Sequence, residues 1–383
     1  MATLNSAVSL NPFAATRRLV IKIGSAIIVD PETGTLRNAW LKSLAADIAN
    51  LRTQGVEIIL VSSGAIALGR GRLGLVGQKL MLAQKQACAA TGQSLLTRQY
   101  EDTLMAHDIP TAQALLTLND TENRRRWLNA RVTLSTLLGL GVVPIINEND
   151  TISTTEIRYG DNDRLAARTA QMMGADTLIL LSDIDGLYTD DPRQNEYAKH
   201  IPIIDQLSDE IMQMGGTANK ASGLGTGGMA TKLMAAKIAM TAGCHMAVMD
   251  GRAPSPLTRL IDGGKTSWFK ASTTPRNARA QWISGTLKPL GTLTIDSGAK
   301  AALDTGKSLL SAGVVGVDGS FEKGDCVTIC CEDGHKLGMG LVTYDIADAR
   351  RIMGMRSEEA ATILGYDKVD PLIHRDNLVW ETS

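Results

Sequence analysis

The stretch Ser222-Gly-Leu-Gly-Thr-Gly-Gly-Met-Ala-Thr-Lys232 carries four glycines and ends on a lysine. Glycine leaves no Cβ between a ligand and the main chain, so N–H groups there can be approached closely. The run behind it, Leu233 to Ala242, is rich in alanine and methionine and has the propensity and period of a helix. A glycine loop opening a helix offers unpaired N–H donors at a positive dipole end, which suits an anion such as a phosphate. Lys232 adds a point charge at the same place. The bland alternative is a surface turn beside a solvated lysine. Two familiar patterns overlap this stretch and fail on context. Gly223, Gly225 and Gly228 satisfy G-x-G-x-x-G, but Met214-Gly-Gly-Thr-Ala-Asn-Lys220 before them is no apolar strand. Nor does a Gly-Lys-Ser/Thr ending follow at the Walker A spacing.

A second cation, Lys22, interrupts the apolar run Leu19-Val-Ile-Lys-Ile23 just before Gly24-Ser25. A lysine near the end of a core strand is rare enough to point to function. The alternative is an edge-strand lysine whose ammonium snorkels to water. Three more polar clusters follow apolar runs: Ser62-Ser63 after Val56–Val61, Asn147-Glu-Asn-Asp150 after Gly141–Ile146, and Ser182-Asp183 after Asp176–Leu181. Each alone reads as turn or capping chemistry.

The elements around them give the clusters a common place. Strand-like segments near 21, 59, 111, 144, 179 and 247 alternate with helical patterns at 39–52, 78–106, 124–138 and 164–173. That alternation predicts a mostly parallel sheet covered by helices on both faces. In such a sheet the carboxyl ends of the strands share one rim, where ligands bind. Lys22 and Gly24, Ser62 and Ser63, Asn147 to Asp150 and Ser182 with Asp183 all fall there, facing the glycine loop. A hairpin is expected over Thr154–Tyr159, closed by Gly160-Asp-Asn-Asp163, with Asp161 or Asn162 capping the next helix. Composition breaks over Thr258–Arg279, and short strands at 291–295, 308–317, 325–329 and 338–342 then predict a small β-rich domain. The expected divisions are a flexible arm 1–17, a first domain 18–265, a linker 266–284, the β-rich domain 285–375 and a tail 376–383.

Bulk properties exclude several classes. A chain of 383 residues with 44% hydrophobic and 21% charged residues is ample for a buried core. A net charge of −1 and 4% aromatics argue against a nucleic-acid surface. Arg124, Arg125 and Arg126 point in different directions round a helix, so they read as a solvated face. The five cysteines lack C-x-x-C spacing and read as buried thiols of a reducing compartment. No apolar run approaches the roughly 18 residues of a membrane span, and the first seventeen residues lack an apolar signal core. The expected address is the cytoplasm, without membrane attachment. His374-Arg-Asp376 mimics a protein-kinase catalytic loop but lacks the rest of that signature.

In order along the chain stand Lys22-Ile-Gly-Ser, Val61-Ser-Ser-Gly-Ala-Ile-Ala, Ile146-Asn-Glu-Asn-Asp, Gly160-Asp-Asn-Asp, Asp183-Ile-Asp-Gly-Leu-Tyr and Gly223-Leu-Gly-Thr-Gly-Gly-Met-Ala-Thr-Lys. Together they resemble the amino-acid kinase family, and more narrowly its glutamate 5-kinases. The β-rich tail resembles a PUA domain. Ser62 stands where a threonine is common, and Ala26 follows Gly24-Ser25; neither departure touches the charged set. The arm before the first strand is longer than the resemblance leads one to expect.

The resemblance implies a three-layer sandwich around a mostly parallel sheet, followed by a small PUA-like barrel. It implies ATP-dependent phosphorylation of the side-chain carboxylate of L-glutamate to L-glutamyl 5-phosphate, the opening step of proline biosynthesis. Lys22 would then stabilise the transferring phosphoryl group, Lys232 the departing β-phosphate side, and Asp163 would hold both ammonium groups. Ser63, Asp150 and Asn162 match the family's glutamate contacts. Lys22, Gly24, Ser182, Asp183, Gly225, Thr226, Gly227, Gly228, Met229, Ala230, Thr231 and Lys232 match its ATP site. Mg²⁺ is expected to ride on the nucleotide, with no metal ligand from the protein. Feedback inhibition by L-proline and a homo-oligomer are further expectations. The alternatives are the acetylglutamate, aspartate and uridylate kinases of the same fold and, from another class, an RNA-binding protein acting through its tail.

Overall fold

Leu19, Val20, Ile21 and Ile23 are all fully buried because the strand they form, β1 (Arg18–Ile23), lies inside a sheet and not at its edge. The computed structural model describes residues 12–152, 162–215 and 228–380. The expected hairpin at 154–159, Asp161, and the glycine-loop residues Gly225, Thr226 and Gly227 lie outside the described residues. The chain divides into two compact units, Met1–Pro275 and Arg276–Ser383.

In the first unit the further strands are β2 (Glu57–Ser62), β3 (Thr111–Leu116), β4 (Val143–Glu148), β5 (Thr177–Ser182), β6 (Leu187–Tyr188), β7 (His200–Ile201), β8 (Ile203–Ile204), β9 (His245–Asp250) and β10 (Thr266–Phe269). Seven of them join β1 in one sheet of order β3-β4-β2-β1-β5-β9-β10-β8, while β6 and β7 pair separately. The run from β3 to β9 is parallel throughout, and β10 lies antiparallel to β9. Register sets Lys22 beside Val61 on one neighbour and Leu180 on the other.

Side chains alternate across a strand, so odd and even positions of β1 enter different layers. Leu19, Ile21 and Ile23 pack with Trp40, Leu44 and Ile48 of helix Asn38–Thr53 and with Leu96, Tyr100 and Leu104 of helix Leu82–Met105. Val20 packs on the opposite side with Leu165 and Ala166 of helix Asn162–Met173 and Leu233 and Ala236 of helix Met229–Thr241. Lys22 shares its parity with Val20, so it is directed at these last two helices. The edge-strand alternative for Lys22 is thereby excluded.

Three expectations are corrected. Residues 12–17, assigned to a flexible arm, are tied down. Phe13 is buried, the Thr16 and Thr177 hydroxyls lie 2.7 Å apart, and Arg17 N donates to Asp176 Oδ2 at 2.9 Å. Residues 266–284, assigned to a linker, hold β10 and most of helix Pro275–Thr286. The Gly263-Gly264 break is a turn into a strand whose Trp268 and Phe269 are buried. Of the five thiols, Cys88, Cys244 and Cys326 are buried, whereas Cys330 and Cys331 are half-buried.

The second unit holds β11 (Gly291–Ile295), β12 (Val314–Gly319), β13 (Cys326–Cys331), β14 (Lys336–Leu341) and β15 (Leu378–Trp380) in the order β12-β11-β13-β14-β15. The strand expected from 308 begins at Val314, after a short 3-10 turn at Ser311–Gly313. Leu293, Ile295, Val327 and Ile329 centre its core. Among the described residues, no helix is long and apolar enough to cross a membrane.

Candidate active site

Three charged side chains meet beneath the rim of the sheet. Lys22 comes from β1, Asp163 from the first turn of helix Asn162–Met173, and Lys232 from the first turn of helix Met229–Thr241. Lys22 Nζ lies 2.6 Å from Asp163 Oδ1, and Lys232 Nζ lies 3.0 Å from Asp163 Oδ2. Relative exposure is 8% for Lys22, 4% for Lys232 and 0% for Asp163. Burial pulls the Asp163 carboxyl upward, but the ammonium groups of Lys22 and Lys232 outweigh it and hold the group well below the usual carboxylate range. One carboxylate between two ammonium groups leaves a buried unit of net positive charge. Such a unit is costly to desolvate, and an arriving anion offsets that cost. Asp163 also sits in a helical first turn, where the dipole favours a carboxylate.

Around this triad the rim is built from close main-chain approaches. Gly24 N donates to Leu181 O at 3.2 Å, and a Cβ on Gly24 would stand only 3.3 Å from that oxygen. Ser182 Oγ donates to Asp183 Oδ1 at 3.1 Å, and Ser182 O accepts from Gly251 N at 2.8 Å. Gly228 precedes helix Met229–Thr241, and a Cβ there would meet nothing within 4 Å among the described residues. Met229, Ala230 and Thr231 form the first turn, with Thr231 Oγ1 donating to Gly228 O at 2.7 Å. Six of the expected nucleotide-side positions thus lie at the ends of β1 and β5 or in this helical turn, together with the two lysines.

The second cluster lies one strand over, past β2 and β4. Asn162 Nδ2 donates to Ser62 O at 2.5 Å, Ser63 Oγ at 2.9 Å and Asn147 Oδ1 at 2.8 Å. The turn that carries Ser63 continues through Gly64 at φ +102°, a left-handed conformation suited to glycine. Asn162 and Asp163 are consecutive, so one helix start serves both clusters. Asp150 follows β4 in the loop and is raised to about 6 by burial, which nothing among the described residues offsets.

Two members of this cluster escaped the sequence reading. Asn147 belonged to a flagged tetrad but was not singled out; as the first polar side chain after a buried run, it carried a signal. Gln93 takes Asn147 Nδ2 at 2.6 Å. It sits among the polar residues of a 24-residue helix, and nothing in its surroundings marks it.

Comparison with known proteins shows the family. The profile of the amino acid kinase family matches residues 17–250, and that of the PUA domain matches residues 291–364. The glutamate 5-kinase of Paramagnetospirillum magneticum is 55% identical over 372 residues, covering 97% of this chain and 100% of its own length. That of Caulobacter vibrioides is 55% identical over 370 residues, covering 97% of this chain and 98% of its own. Among solved structures, the UMP kinase of Bacillus anthracis overlays at a TM-score of 0.47 and 14% identity, across 68% of this chain and 98% of that one. The family profile spans more than half the sequence and the relatives nearly all of it: the chain belongs to the amino acid kinase family, in its glutamate 5-kinase branch.

Proposed function

We propose that the protein transfers the γ-phosphoryl group of ATP to the side-chain carboxylate of L-glutamate, giving L-glutamyl 5-phosphate. The observation that carries this reading is the clamp of Asp163 between Lys22 and Lys232, one residue from the amide that reaches Ser63. The acceptor carboxylate is ionised at neutral pH, so no general base is required. Two anions must instead be brought together. One oxygen of the acceptor forms the new bond to the γ-phosphorus, and the bond from that phosphorus to the β–γ bridging oxygen breaks.

Lys22 neutralises the transferring oxygens and Lys232 the β-phosphate side, while Asp163 keeps both ammonium groups in place. The nucleotide lies along Gly24, Ser182, Asp183 and the helix start from Gly228 to Thr231. Gly225, Thr226 and Gly227 complete that side by resemblance to the family. The two buried cations fit a polyphosphate. Mg²⁺ carried by the nucleotide adds charge neutralisation when bound.

Ser63, Asn162 and Asp150 receive glutamate. The half-buried Asp150 carboxylate suits an α-ammonium group, which disfavours N-acetylglutamate, whose nitrogen is an uncharged amide. L-Proline presents the same α-carboxylate beside an ammonium centre and has no second carboxylate to react. It therefore inhibits by occupying this pocket. The test is turnover with ATP, Mg²⁺ and hydroxylamine. The expected product is γ-glutamyl hydroxamate from L-glutamate, and equal or faster turnover of N-acetylglutamate or aspartate would refute the assignment.

A further inference from the structure

Hydrogen-bond polarity runs in one direction from helix Leu82–Met105 to Ser63, and main-chain groups fix it. Glu148 N–H can only donate, and it lies 2.9 Å from Asn147 Oδ1, so the other end of that amide is the NH₂ group that donates to Gln93 Oε1 at 2.6 Å. The opposite end of Gln93 agrees. Thr97 Oγ1 spends its hydrogen on Gln93 O at 3.0 Å and accepts from Gln93 Nε2 at 3.3 Å. At the far end Ser62 O can only accept, so the atom of Asn162 facing it is Nδ2, whose two hydrogens are shared among Ser62 O, Asn147 Oδ1 and Ser63 Oγ, one of them bifurcated. Ser63 Oγ is therefore an acceptor toward Asn162, and no acceptor among the described residues takes its hydrogen.

Helix contacts fix the start of this chain as firmly as its polarity. A Cβ on Gly92 would stand 1.8 Å from Ala65 O, and one on Gly69 would stand 1.9 Å from Cys88 O. Helices Ala65–Arg72 and Leu82–Met105 thus touch through main chain. Gln93 follows Gly92, whose main chain meets Ala65, two residues past Ser63.

We infer that Gln93 is a positioning residue for the acceptor substrate: through Asn147 and Asn162 it holds the Ser63 hydroxyl as a donor aimed at a substrate carboxylate. This rests on the proposed glutamate reading. A hydroxyl that donates there suits a carboxylate oxygen and disfavours an ammonium group, which offers no lone pair. Gln93 touches neither lysine of the triad, so its effect falls on acceptor binding and not on phosphoryl transfer.

The experiment uses the full-length enzyme and steady-state kinetics with both substrates varied. Wild-type turnover of L-glutamate tests the substrate reading separately. If another carboxylic acid is used instead, the relay is measured with that acid. Gln93→Met keeps the length of the side chain but offers Asn147 no acceptor. It is expected to raise the acceptor KM about ten-fold, the scale of one hydrogen bond, with the ATP KM within two-fold. Gln93→Glu restores an acceptor oxygen and is expected to recover most of that loss. In a Ser63→Ala background Gln93→Met should change the acceptor KM less than two-fold, because the hydroxyl it positions is gone. Additive effects of the two substitutions, or an unchanged acceptor KM in Gln93→Met, overturn the inference. Melting temperatures identify a variant that has merely lost its fold, and the Glu variant then decides: wild-type acceptor KM supports the relay, and a loss as large as in Ser63→Ala refutes it.

Discussion

With Asp150 receiving the α-ammonium group of glutamate, as proposed, glutamate affinity should depend on pH in a range where few carboxylates titrate. Burial raises its pKa from 3.8 to about 6 in the substrate-free protein, and an incoming ammonium group favours the ionised form. If only that form receives glutamate, the apparent KM scales with one plus ten raised to the difference between this pKa and the pH. With the pKa of about 6, the factor is about 1.1 at pH 7 and about 11 at pH 5, a rise of roughly ten-fold. The substrate's own side chain, with a pKa of about 4.3, contributes only about 1.2-fold at pH 5. The assay is ADP release at saturating ATP between pH 8 and pH 5, fitted for glutamate KM and kcat. The KM should climb steeply below pH 6 while kcat changes less, since bound substrate keeps Asp150 ionised. Asp150→Asn should show a raised KM and no such climb. A flat wild-type profile, or the same climb in the Asn variant, refutes the argument. Stability gives a second reading with a definite sign. The folded carboxyl titrates above its unfolded value, so its contribution is present below pH 3.8 and lost as pH rises through about 6. Without glutamate, Asp150→Asn should therefore melt higher than wild type at pH 8, and the gap should close below pH 4.

Lys22→Ala and Lys232→Ala should each lower kcat by about 10²–10³, the scale for deleting one preorganised donor at developing charge. Near-normal kcat with only a raised ATP KM would restrict that lysine to binding. Asp163→Asn should cut kcat with glutamate KM within a few-fold and cost about 3–5 kcal/mol of stability, since both buried ammonium groups lose their counter-ion; chemical denaturation measures the second effect. L-Proline should raise the glutamate KM without lowering kcat, and a chain ending at Arg279 should keep that response; inhibition unmoved by glutamate would place proline elsewhere. Gly92→Ala drives a methyl into Ala65 O and should destabilise by about 1–3 kcal/mol while raising glutamate KM, read from urea unfolding and kinetics.

What was legible in the sequence followed from periodicity and from polar residues at strand ends. The alternation in β1 places Leu19, Ile21 and Ile23 in one layer and Lys22 in the other, and the strand-end rule places Ser63, Asn147 and Ser182 within one rim. Their division into two clusters came from family resemblance, because spacing alone does not say which ends are neighbours. Gln93 stayed hidden since its partner lies 54 residues away and its helix is polar along much of its length. The strand β10 stayed hidden for a local reason. A glycine pair followed by a short mixed run looks like a linker until Trp268 and Phe269 find the sheet. The partial burial of Asp150 arises from tertiary surroundings, which no local pattern encodes.

The central place of β1 shapes how the chain is made. β2, on one side, is synthesised soon afterwards, but β5, on the other, pairs Thr177 with Leu19. At ribosomal rates of about 5–20 residues per second, that edge waits roughly 8–30 seconds for its partner. Throughout this interval the nascent chain displays a short, apolar, strand-forming segment with an open hydrogen-bonding edge, the kind that recruits other chains. Its one interruption between Leu19 and Ile23 is Lys22, still hydrated because Asp163 has only just been added or does not yet exist. A charge inside an exposed apolar strand opposes such association, so a variant that removes Lys22 should cost soluble yield as well as turnover.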